Sequence, residues 1–147
     1  MIAFEGLCRE RGVPVTLQRR AIYEAVLESA GHPSADDVHA RVKQKMAGVS
    51  KVTVYRVLET LVRMGVIGKA SHPGAATRYD VNTERHHHLV CTRCDRTADL
   101  TDAALDRLRL PAIRAEGFEI ADFSIHFTGL CKACRQTAAS RHRKPSK

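Results

Sequence analysis

SKVTVYRVLETLVRMGVIGKA, residues 50–70, is the stretch from which the fold can be read. Ser50 is a helix-capping residue type, and Val54, Val57, Leu58 and Leu61 follow at the spacing of a helix with one buried face. Gly65 ends that helix, and a β-type run, Val66–Ala70, begins directly after it. A second β-type run, Thr77–Val81, lies beyond the turn-rich Ser71-His72-Pro73-Gly74. A helix leading straight into a hairpin closes a winged helix-turn-helix if other helices precede it. Residues 2–11 read as a short amphipathic helix stopped by Gly12 and Pro14. Thr16 caps a second helix with Ile22, Val26 and Leu27 at core spacing, ending near Gly31-His32-Pro33. Ser34 caps a third, with Val38 and Val42 on one face, stopping before Gly48.

The remainder has a different rhythm. A strand is expected near His86–Val90, a short one near Thr97–Leu100, a helix over Asp102–Glu116 stopped by Gly117, and an alternating strand from Phe118 to Phe127. After Arg135 the chain is basic, and an unordered tail is expected. The fold class is therefore read as α+β: an N-terminal winged helix-turn-helix over residues 1–82, then a small α/β domain over 83–134, then a flexible basic tail over 135–147.

At 147 residues the chain has room for one ordinary domain or two small ones. Its 44% apolar content is enough to bury a core, which excludes compositional disorder. No apolar run approaches the roughly 18 residues needed to span a bilayer, and no secretory pattern opens the chain, so a cytoplasmic protein with no membrane partner is expected. The net charge of +8 is unevenly spread. Residues 1–82 carry 12 basic and 8 acidic side chains, residues 83–134 carry 7 and 8, and the last 13 residues carry 5 and none. A basic half beside a near-neutral one fits a polyanion-binding module joined to something else, although a merely solvated basic surface has the same composition.

Four of the five cysteines form two C-x-x-C pairs, Cys91/Cys94 and Cys131/Cys134, with 36 residues between them; the fifth is Cys8. Two such turns can supply the four thiolates of a closed tetrahedral zinc site. The competing reading is a redox pair, which normally opens a helix after a strand, whereas each pair here ends a β-type segment. A zinc deaminase would need H-x-E, and no histidine here is followed two residues later by glutamate. No nucleophile–base pair or substrate motif stands out, so enzymatic turnover is not expected. Cys8, inside the first helix, reads as a small core residue.

His86-His87-His88 runs into Cys91. On a strand His86 and His88 face one side, with His87 and Cys91 on the other. A surface histidine tract is one reading. The other joins His86 and His88 to Asp80, Asp99 and His32 as a thiol-free N/O site suited to Fe(II), Mn(II) and similar ions. Whether His32 folds back to that cluster is left open by the sequence.

The chain resembles the Fur family of metal-dependent bacterial regulators, and within it the peroxide-sensing PerR branch. The likeness spans about residues 5–135. It is carried by TLQR (16–19), GHPSADDV (31–38), SKVTVYRVL (50–58), RYD (78–80), HHHLVCTRC (86–94), Asp99 and CKAC (131–134). It implies a winged helix and a dimerisation domain, with structural zinc on Cys91, Cys94, Cys131 and Cys134. It also implies a regulatory Fe(II) or Mn(II) site on His32, Asp80, His86, His88 and Asp99. Aspartate at position 99 is the PerR pattern, where iron sensors usually carry glutamate. The sequence departs from the pattern at Arg85 and Phe123, which stand where a further site would have ligands. His126 nearby is read as core or surface, Leu17 replaces a common proline, and Arg56 is more Fur-like.

The resulting expectation is a homodimeric repressor that binds a near-palindromic DNA duplex, AT-rich by resemblance, and senses hydrogen peroxide when Fe(II) promotes oxidation of a ligand histidine. Ser50, Thr53, Tyr55 and Arg56 lie toward the N-terminal half of the fourth helix, where a recognition helix meets base edges. Arg56 can bind guanine O6 and N7 together, and Tyr55 a thymine methyl or sugar if it is not a core aromatic. Arg19, Lys51 and Lys69 are assigned to phosphates. The rivals are an iron, manganese or nickel uptake regulator of the same family and, from another class, a zinc-ribbon thiol oxidoreductase or an RNA- or protein-binding scaffold.

Overall fold

The structure, a computed structural model, describes residues 2–29, 31–70, 76–108, 123 and 125–141. The chain divides into two compact units, Met1–Thr83 and Glu84–Lys147. The first contains α1 (Ile2–Glu10), α2 (Leu17–Leu27), α3 (Ala35–Lys45), α4 (Lys51–Arg63), β1 (Gly68–Ala70) and β2 (Arg78–Asp80). β1 and β2 pair antiparallel with Gly68 opposite Asp80, forming the wing. The turn at Ser71–Gly74 lies outside the described residues.

Local chemistry sets the helix boundaries. Thr16, Ser34 and Ser50 each accept a hydrogen bond from the backbone N–H three residues on, satisfying donors the helix cannot. Ser34 and Asp37 form a full capping box. α4 ends in a Schellman turn. Gly65 takes φ +68°, Val66 N–H donates to Leu61 O at 3.0 Å, and Gly65 N–H donates to Val62 O at 2.9 Å.

Ser34 hydroxyl and backbone N–H hold the Asp37 carboxyl below its ordinary range. A carboxyl lowered in the folded state stabilises above its unfolded value, and that contribution is lost as pH falls through the carboxylate range. Ser34→Ala should cost about 1 kcal/mol at neutral pH, read as a lower urea midpoint for the first unit. An unchanged midpoint would count against the cap.

The core is built from Ile22, Ala25 and Val26 of α2, Val38 and Val42 of α3, and Val54, Val57, Leu58 and Leu61 of α4. Phe4 and Cys8 of α1 close it, with Phe4 stacked on Tyr23 at 4.5 Å between ring centres. Leu27, expected in the core, is instead exposed. One residue beyond Val26 it has turned by about 100°, and Ala25 completes the buried stripe.

The second unit contains β3 (His87–Cys91), β4 (Thr97–Leu100), α5 (Ala103–Asp106), β5 (His126–Gly129) and α6 (Lys132–Arg141). Its sheet has the order β4-β3-β5. β3 runs antiparallel to β4 and parallel to β5, so His88 lies between Asp99 and His126. Asp102 caps α5 through Ala104 and Leu105. α5 ends at Asp106 with Arg107 as its C-cap, short of the expected Glu116. β5 begins only at His126, so Phe123 and Ile125 of the expected last strand are not strand; residues 109–122 and 124 lie outside the described residues.

The unordered tail expected from residue 135 is corrected in part: α6 carries the chain to Arg141. KACRQTAASR is rich in strong helix formers, and Arg135 N–H already donates to Cys131 O at 2.9 Å. Basic composition alone had suggested disorder. Residues 142–147 lie outside the described residues.

Candidate functional site

In the first unit a buried histidine meets a buried carboxylate. His32 Nε2 lies 3.0 Å from Asp80 Oδ2, and each residue is only 6% exposed. β2 makes this meeting possible. Tyr79 N–H donates to Pro33 O at 2.9 Å, Ser34 bridges to Arg78, and Arg78 Nη1 donates to His32 O at 3.1 Å. Together these contacts tie the corner between α2 and α3 to the strand that carries Asp80. Asn82 N–H donates to Asp80 Oδ1 at 2.8 Å, which orients the carboxylate.

In the second unit His86, His88 and Asp99 can bring ligand atoms within 4.8 Å of one another. Strand register supplies His88 opposite Asp99, while His86 precedes β3 with its ring 4.5 Å from that of His88. His86 Nδ1 is 2.7 Å from the Glu84 carbonyl. A carbonyl only accepts, so Nδ1 donates to it and Nε2 is the ring nitrogen turned away from the backbone. Nε2 lies on the side of Asp99, whose Oδ1 is 3.4 Å away. A ring held by a carbonyl at one nitrogen and offering the other is the arrangement metal-ligating histidines use. The donor set is imidazole and carboxylate with no thiolate, which suits Fe(II) or Mn(II).

Neighbouring positions have other roles. His87 is fully buried, 6.4 Å ring-to-ring from Phe123, and the Arg85 guanidinium lies 4.0 Å above the same ring. At Arg85 and Phe123, where the family pattern would place ligands, this chain has a cation–π pair. His126 stacks almost parallel to His88 at 5.3 Å.

Cys91, Cys94, Cys131 and Cys134 bring their four sulfurs within 4.8 Å of one another. Cys91 ends β3, and Asp95, in the left-handed region at φ 54°, turns the chain back after Cys94. Backbone N–H groups, that of Cys131 first, hold the Cys91 thiol down to about 6. Hydrogen bonding to the Cys94 sulfur pushes Cys134 up to about 12. The N–H donors stabilise a thiolate at Cys91, and four converging sulfurs are the donor set of a closed zinc site, so the site fits a zinc ion. The second pair also opens α6. Its place at a strand end therefore does not by itself exclude redox chemistry; the convergence of all four sulfurs is what distinguishes the site.

The fourth-helix residues divide into two groups. Ser50 and Thr53 are engaged in the cap, with their hydroxyls 2.9 Å apart. Tyr55 and Arg56 are exposed on the outer face, so Tyr55 is not a core aromatic. Lys51 pairs with Asp36 and Lys69 with Glu59, both at 2.8 Å, and Arg19 donates to the Pro14 carbonyl. Sequence reasoning missed Val52, which shares the outer face at 61% exposure. Its spacing of three and four from Tyr55 and Arg56 was the available signal. Among the described residues no helix is long and apolar enough to cross a membrane.

Residues 10–128 match the model of the ferric uptake regulator family. The peroxide operon regulator of Bacillus subtilis is 31% identical over 126 residues, covering 86% of this chain and 87% of that protein. The peroxide-responsive repressor PerR of Staphylococcus epidermidis is 28% identical over 128 residues, covering 87% and 85%. Among solved structures, the ferric uptake regulator from Francisella tularensis with iron superposes with a TM-score of 0.71 at 28% identity, covering 84% of this chain and 96% of that one.

Proposed function

The chain belongs to the ferric uptake regulator family, and from that premise we propose that it is a homodimeric, metal-dependent DNA-binding repressor that responds to hydrogen peroxide. Family members are metal-responsive transcription regulators, not enzymes. The observation that carries the finer reading is a thiol-free His–Asp pair in each unit: His32 with Asp80 in the first, His86 with Asp99 in the second. One ion recruiting both pairs, with His88, would tie the DNA-binding unit to the second unit. The separate Cys91/Cys94/Cys131/Cys134 cluster would hold structural zinc.

DNA binding is supported by the basic first unit and by the exposed Tyr55 and Arg56 on α4. The ion pairs on Lys51 and Lys69 are exposed and individually weak, so phosphates can replace the carboxylates. Two copies related by a two-fold axis would read a near-palindromic operator.

Fe(II), when bound, would activate peroxide at the site with no net loss of electrons from the ion, whereas Mn(II) would fill it without that reaction. His32 and His86 are the residues that would take up the oxygen. One oxygen of peroxide adds at a ring C–H, the other leaves as water, and the two-electron oxidation is borne by the imidazole. An altered ring is a poorer ligand, so the link between the units weakens.

The test compares Fe(II)- and Mn(II)-loaded protein on a duplex selected from a random library. Micromolar peroxide should release the Fe(II) form, with one added oxygen on the peptide carrying His32 or His86, and leave the Mn(II) form bound. Metal-dependent binding that survives peroxide with unmodified peptides would identify an uptake regulator instead.

A further inference from the structure

Val52 is the one apolar residue on the outward stripe of α4 formed with Tyr55 and Arg56. It is 61% exposed and Tyr55 48%, while Val54, Val57, Leu58 and Leu61 take the inward face. Residues three and four apart share a helix face, so Val52 lies one turn N-terminal of Tyr55 and Arg56. Local stability does not account for it. A β-branched residue is a poorer helix former than alanine, lysine or arginine, and an exposed isopropyl group gains nothing from burial.

We infer that Val52 reads sequence, its isopropyl group packing on the C5-methyl of a thymine in the major groove, close to the guanine bound by Arg56. The inference rests on the proposed role of α4 as recognition helix. Valine has no donor or acceptor, so hydrogen-bonded base edges are closed to it. The thymine methyl is the only apolar feature the groove presents. From Val52 to Arg56 the helix rises about 6 Å, and successive base pairs are about 3.4 Å apart. The thymine therefore lies within two base steps of the guanine.

The experiment uses full-length Mn(II)-loaded protein and a duplex it selects from a random library. Each thymine is replaced in turn by deoxyuridine, which lacks only the methyl. For the unaltered protein, one position per half-site should weaken binding about fourfold, the value of one buried methyl-sized group. Val52→Ala, whose single methyl lies further from the groove, should shrink the difference between the thymine and deoxyuridine duplexes, and Val52→Thr, which keeps one of the two outer methyls, should recover part of it. Arg56→Ala locates the guanine by losing about tenfold discrimination there. Val52→Ala is exposed and favours the helix, so its fold is not at risk. Undiminished deoxyuridine sensitivity in Val52→Ala, or a sensitive thymine more than two steps from the guanine, overturns the inference. If metal-loaded protein selects no duplex, the DNA-binding reading itself fails and the inference falls with it.

Discussion

Cys91→Ser is expected to abolish zinc binding and to unfold the second unit while the first keeps its helices. The large apolar cluster described lies entirely within residues 4–79. Among the described residues of the second unit, Val90 and Cys91 are the buried apolar side chains, and Leu89, Phe127 and Leu130 are exposed. These described residues supply little hydrophobic stabilisation. Zinc held by four thiolates typically contributes about 10–16 kcal/mol, as much as the whole stability of a small domain. Serine leaves three thiolates and a poor fourth donor at the end of β3, and β3 is the central strand of the sheet. Denaturant unfolding should show one transition, where two are expected for the unaltered protein. Elemental analysis should find no zinc, and the dimer should be lost in gel filtration. A folded Cys91→Ser dimer, or unaltered protein that stays folded and dimeric after zinc is stripped under reducing conditions, would show that the cluster is not what holds the unit together.

How much of this was legible in the sequence depends on the distance over which each interaction acts. The caps at Thr16, Ser34 and Ser50 were readable because a hydroxyl and an N–H three residues apart decide them. The inner face of α4 was readable because four apolar residues share one helical period. Leu27 is apolar, but its angle on α2 turns it away from the core, and apolarity alone does not carry that angle. α6 was missed because charge outweighed helix propensity over residues 135–141. The cysteine pairs announced convergence by spacing. The parallel pairing of β5 with β3 did not, since alternation identifies a strand and not its neighbour. His32 and Asp80 are candidates by residue type, but whether His32 meets the cluster is left open by the sequence. Their contact needs β2 laid against Pro33 and Ser34, a tertiary event that no local pattern encodes. Val52 is easily read as core because valine on a helix ordinarily is, although its spacing sets it with Tyr55 and Arg56 and not with Val57, Leu58 and Leu61.

His32→Ala should leave metal binding weakened but present, and remove the effect of metal on DNA affinity. The second unit's ligands, His86, His88 and Asp99, are untouched by the change, so Mn(II) retains a partial site there. What is lost is the first unit's imidazole, which with Asp80 is that unit's hold on the ion in the proposed mechanism. A ligand shifts a conformational equilibrium only by its differential affinity for the two states. Moving from 1:99 to 99:1 takes about 5.5 kcal/mol and raises the DNA-competent fraction about a hundredfold, so about two powers of ten in DNA affinity can depend on that hold. Removing the imidazole also leaves the Asp80 carboxylate buried without it, so the first unit's helical signal and unfolding midpoint must be measured alongside. Asp80→Asn, which removes the charge and keeps the shape, should reproduce the uncoupling without that burden. Asp99→Glu should do the reverse. Its carboxylate is one methylene longer on β4, where it faces His88, so Mn(II)-dependent DNA binding persists while altered coordination spares the Fe(II) form from peroxide. Calorimetric Mn(II) titration and fluorescence anisotropy on one duplex separate these outcomes. If His32→Ala and Asp80→Asn both keep the full metal-dependent gain in DNA affinity, the ion does not act by joining the two units.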